Sequence, residues 1–218
     1  MRKSPEVTPP FNGFEKPAKQ RMIEASHKVF LVYGIQAIDK VARLAESNLE
    51  TFMRYFGSGD PLIERFIDTQ IAEAEKIWQE IVTDYPDQPE AQLRRWLFMA
   101  NGTFGGEFDH LVSPEVTLSR TAAELPWHPK HSLLIKIENY WQTERHRVLK
   151  LCRHARLRAP QEACDKLLLL VHGARGQRSA FGSLKPMRLL GEAGEDILAA
   201  HSCTSKPLPD WDPLDDEA

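Results

Sequence analysis

Asn48-Leu49-Glu50-Thr51-Phe52-Met53-Arg54-Tyr55 puts one cation, one anion, two short hydrogen-bonding side chains and a phenol into about two helical turns. Such groups on one exposed helix can hold a phosphate backbone and read base edges. An arginine donates to phosphate or guanine, and short polar side chains fix the helix on the backbone. The residues just before, Lys40-Val41-Ala42-Arg43-Leu44-Ala45-Glu46-Ser47, add two cations and a candidate turn. Val41–Phe56 therefore reads as helix, tight turn, helix, the arrangement that pushes a second helix into the major groove of DNA. The candidate DNA-contacting residues are Lys16, Lys19, Lys40, Arg43, Asn48, Leu49, Glu50, Thr51, Met53, Arg54 and Tyr55, with Arg2 able to reach phosphate from the N-terminal arm.

Other constellations are weaker. His128 and His131, with Asp109, His110 and His146, do not make a metal site, because two histidines three apart at a helix start lack the geometry of a pair four apart. No metal and no cofactor is expected. Arg145, Arg147, Lys150, Arg153, Arg156 and Arg158 form a basic run, read first as a solvated helix face and second as an anion site. Gly173-Ala174-Arg175-Gly176-Gln177-Arg178 lacks the spacing and the Lys-Ser/Thr pair of a phosphate loop. No serine, cysteine or carboxylate stands in a catalytic motif, so the chain is not expected to be an enzyme. Trp96, Met99, Phe104, Phe108, Trp127, Trp141 and Phe181 are candidate linings of a small-molecule cavity, each with plain core packing as its alternative.

The bulk properties allow this reading. The chain has 218 residues, 42% hydrophobic and 27% charged, which suits a globular protein with a large core. Net charge is −3, so there is no basic coat. Residues 1–56 nevertheless carry nine Lys/Arg against six Asp/Glu, whereas the tail from Pro207 holds five acids and no base. The three cysteines fit neither a disulfide framework nor a zinc pattern. No apolar run is long enough to cross a bilayer, and the N-terminus does not read as a secretory signal. The expected location is a reducing cytoplasm, with no membrane partner.

The elements that must position these groups can be read from proline, which helix interiors exclude but first turns tolerate. Residues 1–15 form a flexible arm. A helix from Pro17 turns Met22, Ala25, Val29, Phe30 and Tyr33 inward and stops at Gly34. The two motif helices follow at about 38–45 and 48–56. A long helix runs from Pro61 to about Asp84, with Ser58 or Asp60 as its N-cap. Further helices are expected at about 90–100, 115–125, 130–157, 161–179 and 187–201. No strand pattern is present. The fold class is all-α: a three-helix domain over 16–59, a larger helical domain over 60–204 for ligand binding and dimerisation, and an acidic tail over 205–218.

The order Met22-Ile23-Glu24-Ala25-Ser26, Phe30, Gly34, Val41-Ala42, Ala45, Thr51, Tyr55-Phe56, Ser58 and Leu62 resembles the N-terminal domain of TetR-type transcriptional regulators. Ala122-Ala123-Glu124-Leu125-Pro126, His128-Pro129, Ala159-Pro160, Leu167–Leu170 and Gly173-Ala174 are similar to AcrR-like members, so the resemblance spans about residues 18–200. It implies a homodimer that binds a palindromic DNA operator and responds to a small-molecule effector, most often as a repressor, pairing through 167–174 and 189–200. The helix-turn-helix is divergent: Glu46 stands at the turn glycine, Leu49-Glu50 open the recognition helix, Met53 replaces a phosphate-binding tyrosine, and the second helix lacks its capping threonine. A second reading follows from these departures: the same shell without DNA binding, serving as an interaction or small-molecule sensor protein.

Overall fold

The computed structural model describes residues 17–100, 113–128, 130–181 and 185–202, with side chains outside 178–188. Among the described residues all regular structure is helical: α1 (Ala18–Tyr33), α2 (Ile38–Leu44), α3 (Leu49–Phe56), α4 (Asp60–Asp84), α5 (Pro89–Ala100), α6 (Pro114–Glu124), α7 (Ser132–His154), α8 (Pro160–Phe181) and α9 (Lys185–His201). No described helix is long and apolar enough to cross a membrane. The fold is thus all-α, with an N-terminal helix-turn-helix followed by a larger helical part. The chain divides into two compact units between Leu62 and Ile63, inside α4.

The first unit packs α1 against both α2 and α3. Met22, Ala25, Val29 and Phe30 of α1, Val41 and Ala42 of α2, and Phe52 of α3 are buried. This is the apolar stripe of each short helix, one face in about four residues. Tyr33 departs from the expected inward face: it is exposed, with the Lys40 ammonium 4.8 Å from its ring centroid. The turn after α2 closes by two backbone bonds, Ser47 N–H to Ala42 O at 2.9 Å and Glu46 N–H to Arg43 O at 3.0 Å. This is a Schellman ending, which needs a left-handed residue between them. Glu46 fills that position with φ 51°. Asn48 then starts α3, its Oδ1 accepting from the Thr51 amide at 2.8 Å. Ser58 Oγ accepts from the Asp60 amide at 3.2 Å, so α4 begins at Asp60, one residue before the expected Pro61.

In the second unit, α8 packs on α6, α7 and α9, and α5 packs on α7 and α9. Its core joins Ile81, Leu93, Trp96, Leu97, Val116, Val148, Leu151, Leu167, Val171, Leu190 and Leu198. Gly194 permits the close approach of α9 to α5, since a Cβ there would fall 2.7 Å from Leu97 Cδ1. Arg94 Nε, donating to both Glu195 carboxylate oxygens at 3.0 and 3.1 Å, spans the same pair of helices. The expected 130–157 helix is shorter at both ends, Ser132 to His154, and a second Schellman turn makes its C-terminal stop. Leu157 N–H bonds Cys152 O at 3.1 Å, and Arg156 takes the left-handed position with φ 52°.

Candidate nucleic-acid interface

The Schellman turn and the Asn48 cap fix where α3 starts and which face it turns outward. Phe52 and Phe56 point inward, their ring centroids 5.1 Å apart, with Phe52 fully buried. The opposite arc therefore carries Leu49, Glu50, Met53, Arg54 and Tyr55, all exposed, with Thr51 half-buried. Asn48 is exposed and engaged as the cap. Lys19 and Lys28 on α1 and Lys40 and Arg43 on α2 are also exposed. Lys16 and Arg2 lie outside the described residues.

Charge on this unit is nearly balanced. Residues 17–62 hold six Lys/Arg and five Asp/Glu. Several of the cations have partners within the fold. The Arg43 guanidinium pairs with Asp39 one turn earlier, and that contact holds the Asp39 carboxyl below its ordinary value. Arg21 Nε donates to Ala45 O at 3.0 Å, tying α1 to the motif turn. The Arg54 guanidinium lies 5.6 Å from the Tyr55 ring centroid. What remains is a surface of modest positive charge with an exposed apolar and hydrogen-bonding helix face.

The second unit holds the groups that the sequence did not bring together. Glu144 of α7 is buried and accepts three hydrogen bonds: from Arg175 Nη1 and Nη2 at 3.0 Å each, and from Trp96 Nε1 at 3.2 Å. Arg175 of α8 is fully buried, with Glu115 of α6 3.9 Å from its Nη2. Burial alone would push the Glu144 carboxyl up. The Arg175 charge and hydrogen bonds, with His172 and Trp96, outweigh it and hold the group below the ordinary carboxylate value. Glu115 goes the other way: burial raises it, and the charge of Glu144 adds to that against the pull of Arg175. Burial likewise raises the Tyr140 phenol, with both carboxylates adding to it.

These residues line a small cavity with Ala74, Ile77, Trp78, Ile81, Met99, Ala100 and Arg147, whose open volume is about 10 Å³. That is about the size of one water-sized sphere. Arg147 donates to both oxygens of Glu75 at 2.9 and 2.6 Å and lies 5.4 Å from the Trp78 ring centroid. Of the residues expected to line a small-molecule cavity, Trp96 and Met99 border this small void. Trp127 does not: it is 85% exposed, beyond the end of α6. Trp141 is half-buried, edge-on to His172 at 5.8 Å, and not part of this lining. Phe104 and the side chain of Phe181 lie outside the described residues, as does Phe108.

The basic run also resolves into separate jobs. Arg145 pairs with Asp165 and Arg147 with Glu75, while Arg158 Nη2 donates to Ala200 O at 2.8 Å. His146, Lys150, Arg153, His154 and Arg156 of that stretch are exposed. Among the described residues, no group of three or more His, Cys, Asp or Glu could hold a metal ion. Cys152 and Cys164 are buried thiols, raised to about 12 and about 11 chiefly by burial, far from a reactive thiolate.

No family model matches the chain, and no curated protein matches it. Its fold is similar to that of several solved proteins. A TetR-family transcriptional regulator of Streptomyces coelicolor is 20% identical with a TM-score of 0.64, the match covering 85% of this chain and 96% of that one. A TetR transcription regulator of Haloarcula marismortui is 16% identical with a TM-score of 0.60, over 84% and 97% of the two chains. NemR of E. coli in its reduced form is 14% identical with a TM-score of 0.59, over 84% and 98%. At these identities the likeness is one of fold.

Proposed function

We propose that this protein is a ligand-responsive transcriptional regulator, a repressor that binds a palindromic operator as a homodimer. The observation that carries the proposal is α3: a capped helix behind a tight turn, its inner face in the core and its outer face open to solvent. That is the geometry a helix needs to enter a major groove. The fold of three regulators, matched over nearly their full lengths, supports the same reading. The first unit would act on DNA, with Lys19, Lys40, Arg43, Asn48, Thr51, Arg54 and Tyr55 nearest to it. The second would receive the effector beside Trp96, Met99 and the Glu115–Glu144–Arg175 cluster, where the helices have to part, because the present cavity of about 10 Å³ holds no more than a water-sized sphere. An effector that favoured one arrangement of that cluster would shift the balance between two states of the dimer.

A second reading is an interaction protein of the same fold that has left DNA. It is favoured by the internal partners of Arg21, Lys40 and Arg43, which reduce the charge available to phosphate. Selection of bound fragments from a randomised duplex pool at low salt separates the two. Recovery of a palindrome is expected. On that site Arg54→Ala should weaken binding about tenfold if Arg54 contacts a base. Glu50→Lys should raise general affinity and steepen its salt dependence by about one unit of log K per added phosphate contact. Retention of no duplex in dilute buffer would overturn the DNA-binding reading in favour of the interaction protein.

A further inference from the structure

The outward arc of α3 is chemically divided. Leu49 and Met53, one turn apart, are 52% and 46% exposed and form an apolar row. Glu50 and Arg54 form the adjoining row, also exposed. The inner face of the helix is carried by Phe52 and Phe56, whereas Leu49 and Met53 leave about half of their apolar surface open to solvent. An anion in the first helical turn is favoured by the helix dipole, which accounts for Glu50 being tolerated but not for the apolar row beside it. With six Lys/Arg against five Asp/Glu on the described part of the first unit, affinity from phosphate neutralisation there is small and discrimination falls to base-edge contacts.

In the major groove two base features match this pair of rows. The cytosine N4 amino group is a donor that a carboxylate accepts with no acceptor beside it, whereas the adenine N6 donor stands next to the repelling N7, and the acceptor atoms of guanine and the O4 of thymine repel it outright. The thymine 5-methyl group is the apolar feature of the groove, and aliphatic side chains pack on it. We infer that Glu50 selects a cytosine, and Leu49 with Met53 select neighbouring thymine methyl groups, in each operator half-site. This rests on the DNA-binding reading above and adds the base preference to it. Arg54, one turn further along the same row as Glu50, is left to a phosphate or to a guanine.

The test uses the full chain and randomised duplexes selected at low salt, first with the wild type and then with Glu50→Gln. The wild type should enrich a cytosine at one fixed position per half-site with thymines beside it. Glu50→Gln should move that position toward adenine, since an amide both accepts from and donates to the adenine edge, with a change of about tenfold in relative affinity. Replacing the selected thymines by deoxyuridine removes only the methyl groups and needs no protein variant. It should weaken wild-type binding about fourfold per methyl contacted, and Met53→Ala should lose part of that sensitivity. A binding site unchanged by Glu50→Gln, or indifference to deoxyuridine, would overturn the base assignment while leaving DNA binding intact. Failure to enrich any duplex would remove both.

Discussion

Glu46 adopts a backbone conformation that suits glycine, with φ 51°, and the turn before the recognition helix depends on it. A side chain in the left-handed region is strained by contact between Cβ and the following carbonyl. The two Schellman hydrogen bonds and the burial of Ala42 and Ala45 hold the turn there. Glu46→Gly should therefore stabilise the protein by about 0.5–1 kcal/mol relative to Glu46→Ala, which keeps the Cβ and loses only the charge. Urea unfolding of the full chain followed by circular dichroism would read the difference. Equal midpoints for the two variants would mean that the turn carries no such strain. This position was legible in the sequence, because a glutamate stood where the resemblance has glycine. The pairing of Arg43 with Asp39 was missed, although an acid four residues before a base on one helix face is its signal. The exposure of Tyr33 was not legible: helical spacing puts it on the Phe30 side, and only the fold shows that the last turn of α1 leaves the core.

Helix positions followed from proline and glycine, since these residues act on the backbone locally and wherever they stand. Partnerships between helices did not. Glu144 and Arg175 are 31 residues apart, and each looks like a member of a solvated charged stretch until α7 and α8 are packed together. Trp127 is exposed for the converse reason: an aromatic ring in a connection has no helix face to turn it inward. The ion cluster that joins α6, α7 and α8 makes a prediction of its own. Removing one partner leaves a buried charge uncompensated, so Arg175→Met should lose about 3–5 kcal/mol by chemical denaturation. Adding Glu144→Gln should recover part of that loss, because the amide is neutral and can still accept from Trp96 Nε1. Absence of recovery would mean that shape rather than charge governs the site.

The same cluster sets two opposite pH dependences. Glu144 lies below the ordinary value of 4.5, so its contribution is present above that pH and declines as pH falls through its folded value. Glu115 lies above 4.5: its contribution is present below that pH and is lost as pH rises through its folded value. Glu115→Gln, which cannot ionise, should gain stability relative to the wild type as pH rises above the ordinary carboxyl value of 4.5 toward neutrality. Melting temperatures of the two proteins at matched pH give the measurement. A constant difference across that range would place the Glu115 titration outside it.

At the scale of the whole molecule, α8 and α9 use only part of their apolar surface inside one chain. Leu167, Val171, Leu190 and Leu198 are buried in the core, but Leu169 is 76% exposed and Leu189 51%. These two border a surface groove with Leu170, Gly173, Ala174 and Ala193, where the small residues leave room for another helix to approach. Both fall inside the stretches that the resemblance assigns to dimerisation. If the face pairs with its own copy about a twofold axis, each substitution acts twice in the interface. Leu169→Glu should then shift the protein from dimer to monomer in sedimentation equilibrium, with helix content unchanged because the residue is solvent-facing in the single chain. Operator binding should fall with dimerisation, because one α3 then reads one half-site alone and the second contact is no longer intramolecular. If Leu169→Glu remains a dimer, pairing through this face is wrong. If it becomes a monomer that binds a full palindrome with undiminished affinity, DNA recognition does not depend on the paired molecule.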